Sequence, residues 1–184
     1  MNSILEVDAQ LSARLRVAEK AGALRNVAVF LAHSGDSWLW GPAMVVLWLV
    51  ADSPWKKWAL SVLIAISALA ALVISLKFVI RRRRPEGEWG RIYRNTDPHS
   101  FPSGHAARAF LIAVMATGMG PTGLAAGLWI WAPLVSLARV AMGVHYLSDV
   151  VAGLVLGILA GVVGLQVQEP LLLWISALIQ TPLW

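Results

Sequence analysis

The apolar run from Trp58 to Ile80 is the feature that most constrains how this chain can fold. Only serines and Lys77 interrupt it, and as a helix it is long enough to span roughly 30 Å of hydrocarbon. The whole chain is 58% hydrophobic and 14% charged, whereas soluble domains are about half apolar and a quarter charged. These proportions exclude an ordinary soluble domain and predict an integral membrane protein.

The pattern of the other apolar segments predicts an all-α fold: a bundle of five or six transmembrane helices preceded by an N-terminal amphipathic helix. We expect spans over residues 37–52, 56–80, 103–119, 121–143 and 147–167. Glu169-Pro170 is expected to separate a last apolar segment, 171–184, which is either a sixth short span or an interfacial segment. All 184 residues fit a single domain, with residues 37–167 as its helical core.

Residues 1–33 are expected to form an interfacial N-terminus. Within residues 3–20, apolar side chains recur at helical spacing among charges, which is typical of a helix lying on the membrane surface. The segment lacks the basic start, apolar core and small-residue cleavage site of a removable signal peptide. Tryptophans near the ends of apolar runs indicate anchors at the lipid–water interface: Trp38, Trp40, Trp55, Trp58, Trp174 and Trp184.

Charge and cysteine content exclude several classes of function. The chain contains no cysteine, so disulfides, thiol catalysis and cysteine metal sites are ruled out. Its net charge is +5, and much of this charge lies in Arg81–Arg84. In a membrane protein such a stretch favours an anionic headgroup or a phosphate as partner rather than a nucleic acid.

Three short polar motifs interrupt the apolar pattern. They are KFVIRRRRP at residues 77–85, FPSGH at 101–105 and RVAMGVHYLSD at 139–149. The second predicted span ends at the first motif, the third begins at the second motif, and the fourth returns to the third motif. All three are therefore expected to meet on one face of the membrane. The long polar connection 81–102 joins the first two, and loops of this length in compact domains are often functional.

The first motif concentrates positive charge. Lys77, Arg81 and Arg84 are spaced i, i+4, i+7, which predicts one shared helical face, with Pro85 ending the helix. A lysine inside an apolar run is costly unless it faces a cavity with a partner. Alone, the pattern favours a snorkelling lysine beside a solvated basic collar; with the other motifs, phosphate binding by Lys77 and Arg84 is favoured. We expect Arg81–Arg83 to contact lipid headgroups.

The second motif combines a helix start with a histidine. Ser103 precedes an apolar helix and is a natural N-cap, which leaves the first-turn amides of Gly104 and His105 free to bind phosphate. Gly104 has no Cβ, so an anion can approach its backbone closely. His105 is placed to donate a proton to a leaving oxygen. A capping or interfacial histidine is the alternative.

The third motif pairs an imidazole with a carboxylate. If a helix begins near residue 145, His145 and Asp149 share a face, and the carboxylate leaves the other ring nitrogen as a nucleophile. A purely structural hydrogen bond is the alternative for such a pair alone. Arg139 lies six positions before His145 and would point away on a continuous helix, so we predict a break near Gly143.

Taken together, these motifs resemble the three signatures of the type 2 phosphatidic acid phosphatase family, which also includes the vanadium haloperoxidases. That family's pattern is lysine, six residues and Arg-Pro; then Pro-Ser-Gly-His; then Ser-Arg, five residues, His, three residues and Asp. Every position matches except Ala138, where the family usually has serine, and this departure removes one possible hydroxyl donor to the site.

The resemblance implies a role for each matched residue. His145 would attack phosphorus and form a phosphohistidine, with Asp149 orienting it. His105 would protonate the leaving group and then activate water. The non-bridging oxygens would be held by the remaining motif residues: Lys77, Arg84, Arg139, Ser103 and the Gly104 amide. Phosphoryl transfer requires mostly positioning and charge stabilisation, which such groups supply.

The expected function is therefore hydrolysis of a phosphomonoester or diphosphate of a membrane lipid. Undecaprenyl diphosphate, phosphatidylglycerol phosphate, phosphatidate and a glycolipid phosphate all remain open as substrates, and the oligomeric state is open as well. We expect no cofactor and no metal, because no carboxylate cluster is evident. The alternatives are a lipid phosphotransferase using the same phosphohistidine, or a non-enzymatic lipid-binding protein; the apolar composition argues against a soluble haloperoxidase.

The expected location is the cell membrane, with multiple passes, and the side of the catalytic face is contested. The predicted catalytic face carries Arg81–Arg84, Arg91 and Arg94, while the opposite loops offer mainly Lys56 and Lys57. The positive-inside rule would place this face in the cytoplasm. The resemblance implies the outer face, which we favour because arginines that bind substrate are poor markers of topology.

Two further positions are weaker candidates. His33 and Asp36 fall on the predicted catalytic face, and a turn with local capping is favoured over a contribution to the pocket rim. Arg108, one turn after His105, is expected either to bind substrate or to pair with Glu86 or Glu88.

Overall fold

The computed structural model describes residues 2–17, 20–94 and 96–180, and within these ranges the regular structure is all α-helical. Eight helices follow one another in the described residues: α1 (Asn2–Arg14), α2 (Ala23–Ser34), α3 (Ser37–Val50), α4 (Ser53–Ile80), α5 (Glu88–Arg94), α6 (Gly104–Met119), α7 (Thr122–Ala141) and α8 (Leu147–Ile179). The predicted all-α fold is confirmed. Parts of two predicted segments, residues 18–19 and 181–184 with Trp184, lie outside the described ranges.

Three of these helices, α4, α7 and α8, are long and apolar enough to cross a membrane, and α3 is a shorter apolar helix. Large apolar side chains along the long helices are exposed, among them Val79, Ile130 and Leu159. Exposed apolar surface of this extent is typical of helices that face lipid. The chain is thus a helical membrane protein.

Helix α6 lies at the centre of the bundle, where residues 106–116 are all buried. It packs against α4, α7 and α8. The contact with α8 is unusually close, because a Cβ at Gly157 would lie 2.2 Å from the carbonyl oxygen of Ala107, and one at Gly153 would lie 2.5 Å from that of Ser103. Small residues allow such an approach of two backbones. The close packing holds the N-terminal ends of α6 and α8 side by side.

The end of α4 differs from the prediction. The helix ends at Ile80, and Arg81 adopts the left-handed conformation with φ 52° as its C-cap. The chain then runs extended, with an isolated antiparallel bridge between Arg83 and His99. The prediction that Arg81 and Arg84 share a helical face with Lys77 is therefore wrong, since a left-handed residue ends the helix before Arg84.

The predicted separation at Glu169-Pro170 is also wrong, because α8 continues through Pro170 as one helix of 33 residues. Proline removes only one backbone hydrogen bond, and membrane helices tolerate it where neighbours support the helix. Here Glu169 pairs with Lys57 of α4 at 3.1 Å, and Leu172, beyond the proline, is fully buried. Residues 171–179 thus belong to α8 and are not a separate segment.

The predicted break near Gly143 is confirmed. Helix α7 ends at Ala141, α8 begins at Leu147, and Gly143 has φ 69°. This left-handed value is readily adopted by glycine and disfavoured for other residues. The resulting five-residue connection, 142–146, carries His145.

The N-terminal helices differ in how they attach to the bundle. Helix α2 packs on α7 through Ala28 and Ala32, which share a buried apolar cluster with Ala138, Met142 and Val144. Helix α1 exposes its apolar side chains Ile4, Leu5 and Val7. An amphipathic N-terminal helix was predicted over residues 3–20; the helix that forms ends at Arg14.

Candidate active site

The three motifs converge at one end of the bundle. The site is built from the C-terminal part of α4, the 81–103 loop, the start of α6, the end of α7, the 142–146 connection and the start of α8. A backbone hydrogen bond of 2.9 Å from the Ser103 amide to the Asp149 carbonyl joins the second and third motifs. A contact of 3.3 Å between Arg84 and His145 joins the first and third. The predicted meeting of the motifs on one face is confirmed.

Two cations of the first motif share one carboxylate. Lys77 Nζ donates to Asp97 Oδ2 and, at 3.0 Å, to the His99 carbonyl. Arg84 donates through NH2 to the same Asp97 oxygen and through Nε to the Asp97 carbonyl, both at 2.7 Å. Lys77 and Arg84 are buried, whereas the Asp97 side chain is 40% exposed. Asp97 therefore separates the buried Lys77 and Arg84 side chains from the protein surface.

Sequence reasoning missed Asp97, although a signal for it existed. Buried cations require a counter-charge. The loop that follows Lys77 contains few acidic residues, so the candidates for this counter-charge were few.

Arg139 is fully buried with only part of its guanidinium satisfied. Its NH1 donates to the Tyr93 hydroxyl at 3.1 Å, and its Cζ lies 4.8 Å from the centre of the same ring. Its Nε and NH2 have no hydrogen-bond partner among the described residues. Buried donors without an acceptor are costly, and an oxyanion would satisfy both. Tyr93, which also lies 5.2 Å from the Arg84 guanidinium, was not anticipated from the sequence.

His145 is buried and presents one ring nitrogen to a cation. Arg84 NH1 lies 3.3 Å from His145 Nε2 and donates to the Val144 carbonyl at 2.8 Å. Because a guanidinium can only donate, Nε2 is the acceptor and the proton of the neutral ring is on Nδ1. Burial, followed by the charges of Arg84, Arg139 and Lys77, lowers the pKa of His145 well below its ordinary value. The imidazole is thus neutral at pH 7, with the Nε2 lone pair beside the cation cluster.

Asp149 is close to His145 but directs its hydrogen bonds elsewhere. Its Oδ2 lies 3.4 Å from His145 Nδ1, and within the described residues that nitrogen makes no hydrogen bond. The same oxygen accepts from the Tyr146 amide at 2.8 Å, and Oδ1 accepts from Arg82 NH1 at 2.7 Å. The pair is in place for a charge interaction, with the carboxylate held firmly by its other partners.

Arg82 therefore does not follow the expectation of a headgroup contact for Arg81–Arg83. It is mostly buried and contacts Asp149, Ser148 and Asp8. No periodicity in the sequence indicated this, because the chain leaves the helix at Arg81 before Arg82 is reached.

Ser103 is confirmed as the N-cap of α6, since its hydroxyl accepts from the Ala106 amide at 3.5 Å. Ser103 is fully buried. Gly104 borders the groove described below, and a Cβ added there would lie 3.4 Å from Val73. The first turn of α6 thus lies at the same end of the bundle as Lys77 and His145.

His105 interacts with a carboxylate from outside the three motifs. Its Nε2 lies 2.5 Å from Asp36 Oδ1, while Asp36 Oδ2 accepts from His33 Nδ1 and from Trp38 Nε1, each at 2.8 Å. Burial alone would raise the pKa of Asp36, but the hydrogen bonds from His105 and His33 outweigh burial and lower it. The favoured local turn is present, and Asp36 also contacts His105, which borders the groove described below.

Arg108 fastens α6 to the turn between α2 and α3. Its Nε and NH2 donate to the Gly35 carbonyl at 2.9 and 2.6 Å, and its NH1 contacts the Ser37 hydroxyl. Among the described residues these are its partners, so the alternative of pairing with Glu86 or Glu88 is wrong.

A groove of about 380 Å³ leads to this site. Its polar end is formed by Lys77, Asp97, His99, Gly104, His105 and Arg108. Its other end is apolar and follows α4, with Ile66, Leu69, Ala70, Val73 and Ile74. The groove therefore has the amphipathic lining that a lipid with a charged headgroup requires. A second cavity of about 410 Å³ between α4 and α8 is almost wholly apolar and contains no motif residue among its lining.

Not every predicted residue borders the groove. Arg84, Arg139 and His145 are buried and do not line the groove, although Arg84 contacts Asp97, which does. Ala138 packs with Ala28 and Ala32, so the position that usually holds serine faces an apolar helix contact here. Within the described part of the chain, no three His, Asp or Glu side chains cluster in a way that could hold a metal ion.

Residues 56–172, which include all three motifs and the groove-lining part of α4, match the PAP2 superfamily. The chain belongs to the PAP2 superfamily. This is the family of membrane lipid phosphatases that the motifs resemble, and the expected family is confirmed.

Individual PAP2 relatives support the same assignment. An undecaprenyl-diphosphatase of Sulfolobus acidocaldarius is 30% identical over 79% of this chain and 71% of its own length. A probable lipid phosphate phosphatase beta of Arabidopsis thaliana is 28% identical over 89% of each chain. The crystal structure of a transmembrane PAP2-type phosphatidylglycerolphosphate phosphatase from Bacillus subtilis matches with a TM-score of 0.72 and 25% identity, covering 92% of this chain and 88% of that one.

Proposed function

We propose that this PAP2 protein hydrolyses a phosphomonoester or diphosphate of a membrane lipid through a phosphohistidine formed on His145. One observation carries the proposal. The lone pair of a neutral His145 Nε2 lies 3.3 Å from the Arg84 guanidinium, in a buried cluster that also contains Lys77 and Arg139. A nucleophile is thereby adjacent to the groups that would bind the phosphoryl oxygens, which is the arrangement that phosphoryl transfer needs.

In the first step, His145 Nε2 attacks phosphorus. The P–N bond forms as the bond from phosphorus to the leaving oxygen breaks, and positive charge develops on the imidazole. The Asp149 carboxylate, 3.4 Å from Nδ1, would stabilise that charge and keep the tautomer. The three buried cations, the Ser103 hydroxyl and the Gly104 amide would hold the non-bridging oxygens.

His105 would serve as the general acid and then as the general base. Protonated, it gives its proton to the departing oxygen; neutral, it accepts a proton from the water that attacks the phosphohistidine. The P–N bond then breaks and inorganic phosphate leaves. The ionised Asp36 carboxylate, 2.5 Å from His105 Nε2, would stabilise the protonated imidazole in each cycle.

The groove supports a lipid as the substrate. Its apolar end along α4 would take a hydrocarbon chain, and its polar end would take the phosphate and headgroup. Phosphate would have to displace Asp97 from Lys77 and Arg84 before it could reach His145. Undecaprenyl diphosphate, phosphatidylglycerol phosphate, phosphatidate and a glycolipid phosphate are the candidate substrates.

We further propose five membrane crossings in a single domain, 1–184, of the cell membrane, with the site on the extracytoplasmic side. Helix α3 begins at the site and α4 returns to it. Helix α6 begins at the site and α7 returns, so α6 must cover the same depth as α7. The final crossing is α8, and no sixth span is needed because residues 171–179 continue α8.

The test is phosphate release by the detergent-purified protein in excess EDTA against a panel of phosphorylated lipids. Wild type should release phosphate from at least one lipid, and His145→Ala should lose essentially all release because no covalent intermediate can form. Ser67→Ala, an exposed change on α4 outside the groove lining, is the matched control and should keep turnover. Transfer of phosphate to an added lipid alcohol without free phosphate would instead identify a phosphotransferase. A folded wild type inactive in both assays would overturn the proposal.

A further inference from the structure

Helix α8, which carries Asp149, takes the acceptors for two of its first amides from another helix. Its N-cap residue is Tyr146, whose own amide donates to Asp149 Oδ2 at 2.8 Å. The first amides of a helix have no partner within the helix and require one from elsewhere. The amides concerned are those of Leu147 and Ser148, which directly follow the 142–146 connection that carries His145.

Helix α1 supplies the missing acceptors from the other end of the sequence. The Leu147 amide donates to Ser12 Oγ at 2.8 Å, and the Ser148 amide donates to Asp8 Oδ1 at 3.1 Å. Ser and Asp are the residue types preferred as N-caps, and the charge of Asp8 also suits the positive end of the α8 dipole. Asp8 and Ser12 lie one turn apart on α1, so one face of α1 supplies both acceptors that cap α8.

The Asp8 carboxylate is also connected to Asp149, the partner of His145, through Arg82. Arg82 NH2 donates to Asp8 Oδ2 at 2.6 Å, and Arg82 NH1 donates to Asp149 Oδ1 at 2.7 Å. The guanidinium also lies 4.0 Å from the centre of the Tyr146 ring. Asp8 is only 11% exposed and Asp149 is fully buried. Asp8, Arg82 and Asp149 therefore form a continuous chain of charge-assisted hydrogen bonds.

These polar contacts are the means by which α1 is joined to the catalytic end. Ser12 is fully buried, while Ile4, Leu5 and Val7 on the same helix are exposed. An outward apolar face is typical of an amphipathic helix in contact with lipid, which is what the sequence predicts for this segment. Here the polar face of α1 meets α8 and the apolar face is left outward.

Building on the proposed phosphatase reaction, we propose that Asp8 and Ser12 are positioning residues. They cap α8 from α1 and hold Arg82 against Asp149, and thereby set the geometry of the His145–Asp149 pair. Neither residue borders the groove, so they act on the nucleophile and not on substrate binding.

The first test separates turnover from binding. In Asp8→Ala and Ser12→Ala, kcat for the lipid preferred by wild type should fall, by about 100-fold for Asp8→Ala if the imidazole is displaced by an ångström, with KM little changed. Asp8→Asn keeps an oxygen that can cap Ser148 but loses the charge facing Arg82, and should give an intermediate kcat. Glu6→Ala, an exposed position on the same helix, is the matched control and should match wild type.

The second test does not depend on turnover. Amide hydrogen exchange over residues 144–150 should be faster in Asp8→Ala and Ser12→Ala than in wild type or Glu6→Ala, while the α6 segment 106–116 stays protected in all four. If wild type hydrolyses no lipid, the proposed function fails, and the exchange result still decides whether α1 caps α8.

Three results would overturn this inference. They are wild-type exchange over residues 144–150 in both alanine variants, a rise in KM with unchanged kcat, and loss of protection in α6 together with residues 144–150. The last result would show that Asp8 and Ser12 act through overall stability.

Discussion

At the residue scale, the site is a cluster of buried positive charge in which two cations pair with one partly exposed carboxylate. Lys77 and Arg84 both bind Asp97, while Arg139 has guanidinium nitrogens without a partner among the described residues. A carboxylate and a phosphate offer similar oxygen acceptors to such cations. Asp97 thus occupies the place in which the proposed reaction requires a phosphoryl group.

The first prediction concerns competition by Asp97. Asp97→Asn should lower KM for the lipid phosphate, and strengthen inhibition by inorganic phosphate, by about fivefold. An ion pair of this exposure contributes about 1 kcal/mol, which corresponds to a factor of that size. Steady-state kinetics with added phosphate measure both effects. Glu86→Gln, an exposed change in the same loop, should alter neither, and a higher KM in Asp97→Asn would show that Asp97 organises the site instead.

The second prediction follows from the lowered pKa of His145. The folded state resists protonation of this ring, so below the unfolded pKa of about 6.5 the unfolded state binds more protons. Stability is then fully present above that pH and decreases as the pH falls towards the folded pKa. Between pH 7.5 and pH 5, the Tm of wild type should drop more steeply than that of His145→Gln. Parallel Tm curves for the two proteins would contradict the assignment of a neutral, buried His145.

At the element scale, the contact between α6 and α8 holds the second and third motifs together. Gly153, Gly157 and Gly161 on α8 meet the backbone or side chains of α6 at distances that leave no room for a Cβ. Their spacing of four residues was a signal in the sequence, since small residues at this spacing mark close packing of membrane helices. The hydrogen bond from Ser103 to the Asp149 carbonyl depends on that packing.

The third prediction tests this contact. Gly157→Ala should lower stability by about 1–3 kcal/mol, the usual range for overpacking, and should reduce turnover as the two helices move apart. Gly127→Ala on α7 is the matched control, because no atom lies within 4 Å of its added Cβ. Thermal unfolding in detergent compares the two variants. Equal Tm values would show that α6 and α8 tolerate separation at this point.

At the scale of the whole molecule, one question is which side of the membrane the site faces. Arg82 and Arg84 cannot serve as simple topology markers, because they bind Asp149, Asp8 and Asp97 inside the protein. This removes part of the conflict between the positive-inside rule and the family resemblance.

The fourth prediction uses the lack of native cysteine. Arg91→Cys, in the loop at the site, should react with a membrane-impermeant thiol reagent in intact cells. Ser53→Cys, exposed at the first residue of α4 at the opposite end, should react only after the membrane is permeabilised. The reverse pattern would place the site in the cytoplasm. Both variants should retain phosphatase activity, which shows that the labelled protein is folded.

The sequence alone predicted the apolar helices, their order and the residues of the three motifs, but not α2 or α5. Apolar runs and N-cap residues act over one or two helical turns, so α4, α6 and α7 and the cap at Ser103 could be predicted. The break at Gly143 followed from the need for Arg139 and His145 to face one pocket. Local patterns gave a wrong prediction at Pro170, because contacts between α4 and α8 support a continuous helix there despite the proline.

Only the tertiary structure decided which charges meet. Asp8 lies 140 residues from Ser148, and Asp36 lies 69 residues from His105, so no local period relates either pair. These partners are brought together by the packing of α1 on α8 and of the α2–α3 turn on α6. A buried charge must find an opposite charge or a hydrogen bond, which predicts that a partner exists; the packing of distant segments determines which residue it is.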